Sequence, residues 1–160
     1  MKIYLANSLF SESDRLYNAK VAKELRKISG VEVYVPQENE AINDKNNCAT
    51  SEEIAMADVL KLEECSVLVA VLDGAVIDAG VASEIGYAYG RGILTIGLLT
   101  DVRQQGGENK LKLNLLEEVA ENQFNYVNLF TTGLIKMNGT IVTSVDELVN
   151  YVARSFKFMN

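Results

Sequence analysis

The sequence predicts an α/β fold built as a doubly wound parallel sheet, in a single domain of residues 1–160. The run SVLVAVLD (66–73) is apolar almost throughout, as is typical of a central parallel strand that is covered on both faces. Along the whole chain, strand-like runs alternate with helix-like segments, and parallel strands need such crossover connections. A chain of 160 residues is also long enough to bury one sizeable core.

The first half of the chain predicts two strands and two helices. The strand KIYLA (2–6) precedes a helix over 15–28, in which apolar residues recur at helical spacing. The alternating run VEVYVP (31–36) predicts a second strand, which ends at the only proline of the chain. A polar loop over 37–50 and a helix over 51–65 then lead into the buried strand.

The second half predicts the remaining elements. These are helices over 79–92, 111–122 and 144–156, and strands over 93–100 and 126–130. The pair Asn138-Gly139 predicts a tight turn before the last helix. The resulting βαβαβαβαβα order predicts a five-stranded parallel sheet of the flavodoxin-like or Rossmann-like type.

The charge and hydropathy of the chain exclude several classes of partner. The net charge is −7, and no cluster of Lys and Arg interrupts the acidity, so a nucleic-acid polymer is not expected to bind. No apolar run approaches the roughly 20 residues that span a bilayer, and no signal peptide is predicted. We therefore expect a cytoplasmic protein without a membrane partner.

The chain contains no histidine. Ser-His-Asp and Cys-His catalysis within one chain are thereby excluded, as is histidine-ligated zinc. The two cysteines do not have the spacing of a metal site, and neither the G-x-G-x-x-G nor the P-loop pattern occurs. We expect no metal and no cofactor. The 22 acidic residues favour carboxylate chemistry.

A binding site is expected at the carboxyl ends of the strands, where doubly wound sheets place their ligands. Polar and aromatic residues follow each of the first four predicted strands. They are Asn7, Ser8 and Phe10, then Gln37 and Glu38, then Asp73, Gly74 and Asp78, and finally Asp101 and Arg103. Because these positions converge on one crevice, they are the candidate ligand contacts.

Glu84 is the candidate reactive carboxylate. It lies six residues after Asp78 and about two turns into the predicted helix. We expect the positive end of the helix dipole to help keep it ionised, as a nucleophile at an anomeric carbon requires. Structural alternatives are an ion pair of Glu84 with Arg91, a helix cap at Asp78 and a plain turn at Asp73-Gly74.

Three segments resemble the nucleoside 2-deoxyribosyltransferases. They are YLANSLFS near the start, AMADVLKLEECSVLVAVLDG in the middle, and DAGVASEIGYAYGRG after it. The most specific element is Asp-x-Gly-x-x-x-Glu-x-Gly-Tyr-Ala, from Asp78 to Ala88. The resemblance continues through TDVRQQGGENKLKLNLL and so covers most of the chain.

The resemblance implies roles for particular residues. Glu84 would attack C1′ of a 2′-deoxynucleoside and form a covalent deoxyribosyl ester, while the hydroxyl of Tyr4 positions it. Asp58, or else Asp73, would protonate the leaving base, with Asp58 the closer match. Asp78 would contact the sugar hydroxyls, Gln37 the base, and Asn114 the sugar 5′-hydroxyl bound at a neighbouring subunit of a homo-oligomer. Further substrate contacts are expected from Gly80, and from Asn7 and Phe10 at the end of the first strand.

Three functions are compatible with the sequence. The first is exchange of free purine or pyrimidine bases between 2′-deoxynucleosides. The second is hydrolysis of 2′-deoxynucleoside 5′-monophosphates, for which Ser8, Ser11 and Arg15 would have to form a phosphate cradle. The third is a nucleoside or nucleotide sensor without catalysis. The acidic surroundings and Asn114 favour the first, because they suit an uncharged 5′-hydroxyl.

Overall fold

The chain folds into a five-stranded, all-parallel sheet with helices on both faces, which confirms the predicted fold class. The computed structural model describes residues 1–39, 49–122, 124 and 126–159, and of 157–159 only the backbone. The strands are β1 (Lys2–Ala6), β2 (Glu32–Tyr34), β3 (Val67–Val71), β4 (Leu94–Leu98) and β5 (Gly139–Val142). Their order across the sheet is β2-β1-β3-β4-β5. The connection from β1 leads to β2 on one side, and the later strands lie on the other side of β1. The topological switch point is therefore between β1 and β3, where a ligand crevice is expected.

Six α-helices lie within the described residues. They are α1 (Glu12–Leu25), α2 (Ser51–Glu63), α3 (Ala79–Arg91), α4 (Lys110–Leu115), α5 (Leu129–Met137) and α6 (Val145–Met159). A short 3-10 turn, Pro36–Glu38, follows β2. The other positions of the predicted 37–50 loop, from 40 to 48, lie outside the described residues. Among the described helices, none is long and apolar enough to cross a membrane.

Two apolar clusters cover the two faces of the sheet. Alternate residues of the strands point to opposite faces, and all five residues of β3 are buried. One cluster joins the sheet to α1 and α6 through residues such as Leu25 and Leu148. The other joins it to α2, α3 and α5 through residues such as Leu62, Ile85 and Ile135. The near-continuous hydrophobicity of 66–73 thus reflects burial on both sides.

The fifth strand is not where the sequence predicted it. The run 126–130 was expected to be a strand, but Asn128 caps α5 by accepting hydrogen bonds from the backbone N–H groups of Phe130 and Thr131. The strand is instead Gly139–Val142. The predicted tight turn at Asn138-Gly139 is also wrong. Asn138 ends α5 and Gly139 begins β5.

Helix α4 is shorter than the predicted 111–122. After Leu115 the backbone closes i→i+3 turns, and Ala120 has a positive φ of 72°, which a helix cannot accommodate. The helical pattern of apolar residues in this segment therefore does not produce a long packed helix. Leu116 and Val119 are exposed instead.

Candidate active site

The centre of the site is the hydroxyl of Tyr4, which lies between two carboxylates. Tyr4 belongs to β1, and its side chain is fully buried at 0% exposure. Its hydroxyl is 2.6 Å from Oε1 of Glu84, to which it donates, and 3.3 Å from Oδ1 of Asp58. Glu84 comes from α3 and Asp58 from α2. The three residues that the family resemblance assigned to catalysis therefore meet at one point.

Asp78 fixes the start of the helix that carries Glu84. Its Oδ1 accepts hydrogen bonds from the backbone N–H groups of Gly80 at 2.8 Å and Val81 at 3.2 Å. Gly92, in the left-handed region with φ of 70°, ends the helix. The predicted cap at Asp78 is confirmed, and Asp78 also lines the cavity described below.

Glu84 does not form the alternative ion pair with Arg91. A guanidinium nitrogen of Arg91 lies 2.8 Å from Glu63 of α2, and the Tyr87 hydroxyl donates to the same carboxylate at 2.7 Å. These contacts link α2 to α3 on the outside of the site. Glu84 is left facing Tyr4 and the cavity.

Burial raises the pKa of Glu84 to about 7. The hydrogen bond from Tyr4 opposes this shift, while the negative charges of Asp58 and Asp78 add to it. The expectation that the helix dipole keeps Glu84 ionised is therefore corrected. Glu84 lies in the second turn of α3, beyond the turn where the dipole acts most strongly, and the loss of hydration is the larger effect.

The other two groups of the centre are also held toward their protonated forms. Burial raises the pKa of Asp58, although the Tyr4 hydroxyl partly offsets it. Burial also raises the pKa of Tyr4, followed by the charge of Glu84. Tyr4 thus remains a hydrogen-bond donor. Beside it, Glu84 is about half ionised near neutral pH, and Asp58 retains its proton more readily than a free aspartate.

A cavity of about 290 Å³ opens onto this centre at the carboxyl ends of β1 and β2. Its lining is Asn7, Ser8, Leu9, Phe10, Tyr34, Pro36, Asn39, Ile54, Asp58, Asp78, Gly80, Val81 and Glu84. Among these described residues there is no Lys or Arg, so the cavity is acidic. A groove of about 430 Å³ between α2 and α3 adjoins it and shares Ile54, Asp58, Gly80 and Glu84.

The structure brings most of the predicted contacts into this cavity. Asn7, Phe10, Asp78 and Gly80 all line it together with Asp58 and Glu84. At Gly80 a Cβ atom would lie 2.9 Å from Oδ1 of Asp78, so a larger residue would crowd the capping carboxylate. Phe10 is 79% exposed and offers its ring to a flat ligand.

Gln37 and Asp73 do not line the cavity. The amide of Gln37 accepts from Nδ2 of Asn18 and donates to the backbone carbonyl of Arg15. The two oxygens of Asp73 accept from the backbone N–H and the hydroxyl of Thr100, each at 2.6 Å. Both side chains are thus engaged in holding loops, whereas Asp58 lines the cavity.

Asn114 lies on α4, exposed, and does not line the cavity of its own chain. A role at a neighbouring subunit therefore stays a prediction. Within the described residues, no group of three or more Cys, Asp and Glu is arranged to hold a metal ion.

Sequence reasoning missed one wall of the cavity. Tyr34, Pro36 and Asn39 line it from the end of β2, where only Gln37 and Glu38 were expected to matter. The Tyr34 ring lies 5.3 Å from the Tyr4 ring, and its hydroxyl accepts from Nδ2 of Asn39 at 3.3 Å. The aromatic residue at the end of a strand was the available signal.

The sequence model of the nucleoside 2-deoxyribosyltransferase family matches residues 3–116. The chain belongs to this family. The matched region includes Tyr4, Asp58, Asp78, Glu84 and Asn114, so all of these residues fall within the family domain. No curated protein sequence matches the chain significantly.

Solved structures share the fold of this family member. A conserved protein from Enterococcus faecalis V583 is 50% identical, with a TM-score of 0.92, over 96% of this chain and 98% of that one. A 2-deoxyribosyltransferase from Bacillus psychrosaccharolyticus is 20% identical, with a TM-score of 0.65, over 94% and 92% of the two chains. A CMP N-glycosidase from Clostridium botulinum is 18% identical, with a TM-score of 0.52, over 95% and 98%. The last two comparisons establish a common fold.

Proposed function

We propose that the protein transfers the 2-deoxyribosyl group between nucleobases of 2′-deoxynucleosides, with retention at C1′ and a covalent ester on Glu84. The observation that carries this proposal is the Tyr4 hydroxyl, which holds Glu84 at 2.6 Å and has Asp58 at 3.3 Å. Two carboxyl groups in different environments can divide into a nucleophile and a proton donor.

In the first half of the reaction, an oxygen of ionised Glu84 attacks C1′ and the bond from C1′ to the base nitrogen breaks. The electron pair of that bond goes to the nitrogen, which takes the proton of Asp58. In the second half, a nitrogen of the incoming base attacks C1′, the ester bond breaks, and the carboxylate of Glu84 is restored. The proton of the incoming base returns to Asp58, and two inversions give net retention.

Tyr4 serves both halves by donating to one oxygen of Glu84. It lowers the pKa of Glu84 against the effect of burial, and it fixes the carboxylate so that the other oxygen faces the sugar. Positive charge that develops on the sugar ring in the transition state is stabilised by the surrounding carboxylates. Asp78 is proposed to contact the sugar hydroxyls, and Phe10 to cover the base.

The charge of the cavity supports a nucleoside rather than a 5′-monophosphate. Its described lining contains Asp58, Asp78 and Glu84 but no Lys or Arg. Of the proposed cradle, the Ser8 hydroxyl donates to Asp14, and Ser11 forms a capping box with the same aspartate. A phosphate dianion near these serines would face a carboxylate.

We propose that a second copy of the chain completes the site with Asn114 at the sugar 5′-hydroxyl. Large apolar side chains are exposed around α4, as expected for a surface that another protein covers. They include Val102, Leu111, Leu113, Leu116 and Val119.

The test is a chromatographic assay with a 2′-deoxynucleoside and a second free base. A new deoxynucleoside that is formed by the wild type and by Glu63→Ala, but not by Glu84→Ala, would support base exchange at Glu84. Glu63 is the matched control because it pairs with Arg91 outside the cavity. Release of deoxyribose 5-phosphate from a monophosphate alone would support the hydrolase, and tight binding without turnover would support a sensor.

A further inference from the structure

The buried amide of Asn18 joins the segment that follows β1 to the segment that follows β2. The side chain lies on α1, is 2% exposed, and has partners for both its nitrogen and its oxygen. Nδ2 donates to the backbone carbonyl of Ser8 at 3.0 Å and to Oε1 of Gln37 at 2.9 Å. Ser8 follows β1 and Gln37 follows β2, so one side chain holds both strand ends together.

The orientation of the Asn18 amide follows from its partners. A backbone carbonyl only accepts, so the atom that faces the oxygen of Ser8 must be the nitrogen of Asn18. The Gln37 amide is oriented in the same way, because its Nε2 donates to the carbonyl of Arg15 at 3.1 Å. Its Oε1 is therefore the atom that faces Asn18. Two backbone carbonyls thus set the direction of this chain of hydrogen bonds.

Asn18 in turn sets the orientation of Asn7. Once Nδ2 of Asn18 is assigned, its Oδ1 is an acceptor, and the atom of Asn7 that lies 2.7 Å from it must be Nδ2. Oδ1 of Asn7 makes no hydrogen bond to any described residue. Because every buried side-chain nitrogen and oxygen of the described residues has a partner, this oxygen is open to solvent, and Asn7 lines the cavity.

We propose that Oδ1 of Asn7 is a hydrogen-bond acceptor for a donor group of the bound nucleoside, with its polarity fixed by Asn18. The inference rests on the proposed function for the identity of the ligand. The donor is either an amino group of the base or a hydroxyl of the sugar. An asparagine free to rotate would accept or donate equally well, whereas one fixed in this way selects donors and disfavours acceptors at the same place.

The test is a set of dissociation constants measured by calorimetry on protein that also carries Glu84→Gln, so that no ligand turns over. Two ligand pairs exchange a base amino group for an oxo group: 2′-deoxyadenosine with 2′-deoxyinosine, and 2′-deoxycytidine with 2′-deoxyuridine. Two further ligands, 2′,3′-dideoxyadenosine and 2′,5′-dideoxyadenosine, each lack one sugar hydroxyl. Removal of the ligand group that donates to Oδ1 of Asn7 is expected to weaken binding roughly fivefold to tenfold in protein that retains Asn7. The same removal should have no effect in Asn7→Ala.

Variants of Asn18 separate positioning from general stability. Both Asn18→Leu and Asn18→Asp lose the donors to Ser8 and Gln37, but Asn18→Asp keeps an acceptor opposite Nδ2 of Asn7. Donor preference should therefore persist in Asn18→Asp and disappear in Asn18→Leu. The exposed amide of α6, in Asn150→Ala, is the control that should leave every constant unchanged.

The possible outcomes separate this proposal from the proposed catalytic function. Equal effects of each ligand change in wild-type and Asn7→Ala protein would overturn the proposal even if base exchange at Glu84 were established. Failure of all the nucleosides to bind would remove both the inference and the proposed function. Coupling of Asn7 to a single donor without any Glu84-dependent transfer would uphold the inference and reject the catalytic proposal. The Asn7→Ala comparison decides the matter even if the Asn18 variants do not fold.

Discussion

Tyr4 and Glu84 are eighty positions apart in the chain, and a hydrogen bond of 2.6 Å joins them. One is fully buried in the first strand, and the other faces the cavity from a helix that follows the third strand. The parallel pairing of β1 with β3 makes this possible, because it brings the carboxyl ends of both strands to one edge. Glu84 is thereby anchored to the core of the sheet.

Replacement of Tyr4 by Phe is expected to shift the pH dependence of catalysis. The hydroxyl lowers the pKa of Glu84, so its loss leaves burial unopposed and raises that pKa further. The acid limb of kcat/KM should move to higher pH, and the rate at neutral pH should fall about tenfold or more. Initial rates from pH 6 to 9 measure this. Tyr34→Phe, which removes a neighbouring hydroxyl, is the control, and an unmoved acid limb in Tyr4→Phe would contradict the prediction.

Glu84 is expected to make the protein less stable as the pH rises. The pKa of Glu84 in the folded protein, about 7, exceeds the ordinary glutamate value of 4.5, so between these pH values the folded state holds a proton that the unfolded chain has released. The contribution of Glu84 to the free energy of unfolding is therefore fully present below about pH 4.5. It is lost as the pH rises through about 7, and the loss amounts to about 3 kcal/mol. Denaturant unfolding of the wild type and Glu84→Gln at pH 5 and pH 8 checks this, with the exposed Glu52→Gln as control.

In that experiment, Glu84→Gln should be the more stable protein at pH 8, because it removes a charge that burial disfavours. At pH 5 the folded wild type keeps its proton and only the unfolded chain has begun to release it, so the difference should be much smaller. A constant difference between them at both pH values would show that the carboxyl of Glu84 is not held toward its protonated form.

Asp78 is expected to stabilise the protein as a cap and to influence Glu84 by its charge. Asp78→Ala loses the hydrogen bonds to Gly80 and Val81, which should cost about 1 kcal/mol of unfolding free energy. Asp78→Asn retains an accepting oxygen and should cost much less. Both remove the charge that raises the pKa of Glu84, so both should lower that pKa in a carboxyl titration followed by NMR. A different result for the two variants in that titration would refute the electrostatic argument.

The two candidate proton donors should respond in opposite ways. Asp58→Ala should lower kcat for transfer by about a hundredfold with little change in unfolding free energy. Asp73→Ala removes the acceptors of two hydrogen bonds from Thr100, so it should destabilise the fold by about 2 kcal/mol and leave kcat near the wild-type value. Steady-state kinetics and denaturant unfolding of both variants make the comparison. The reverse pattern would assign the proton donor to Asp73.

The order of strands and helices was predictable where burial and periodicity agreed. The strand over 66–73 and the helix over 79–92 were placed within two residues of their observed ends. The segment 126–130 misled because its aromatic and β-branched residues are typical of a strand, whereas Asn128 makes it the start of a helix. At Gly139 the glycine reflects close contact with Thr95 on the neighbouring strand, which the sequence alone does not distinguish from a turn.

The candidate site was predictable where the family motif fixed the spacing, as for Glu84 and Asp78. Side chains that hold loops were harder to distinguish from side chains that bind substrate. Gln37 and Asp73 follow strands as ligand contacts do, yet both are engaged by neighbours from other parts of the chain, Asn18 and Thr100. Such contacts depend on the tertiary structure and leave no periodic signal.

The two sides of the cavity come from different kinds of element. The carboxylates Asp58 and Glu84 lie on helices, and Asp78 caps the second of these, whereas the facing wall comes from the segments after β1 and β2. Substitutions can therefore alter the two sides separately. Exchange of the segments that follow β1 and β2 would give an engineer a differently lined cavity around an unaltered Glu84, provided that Asn18 is exchanged together with them.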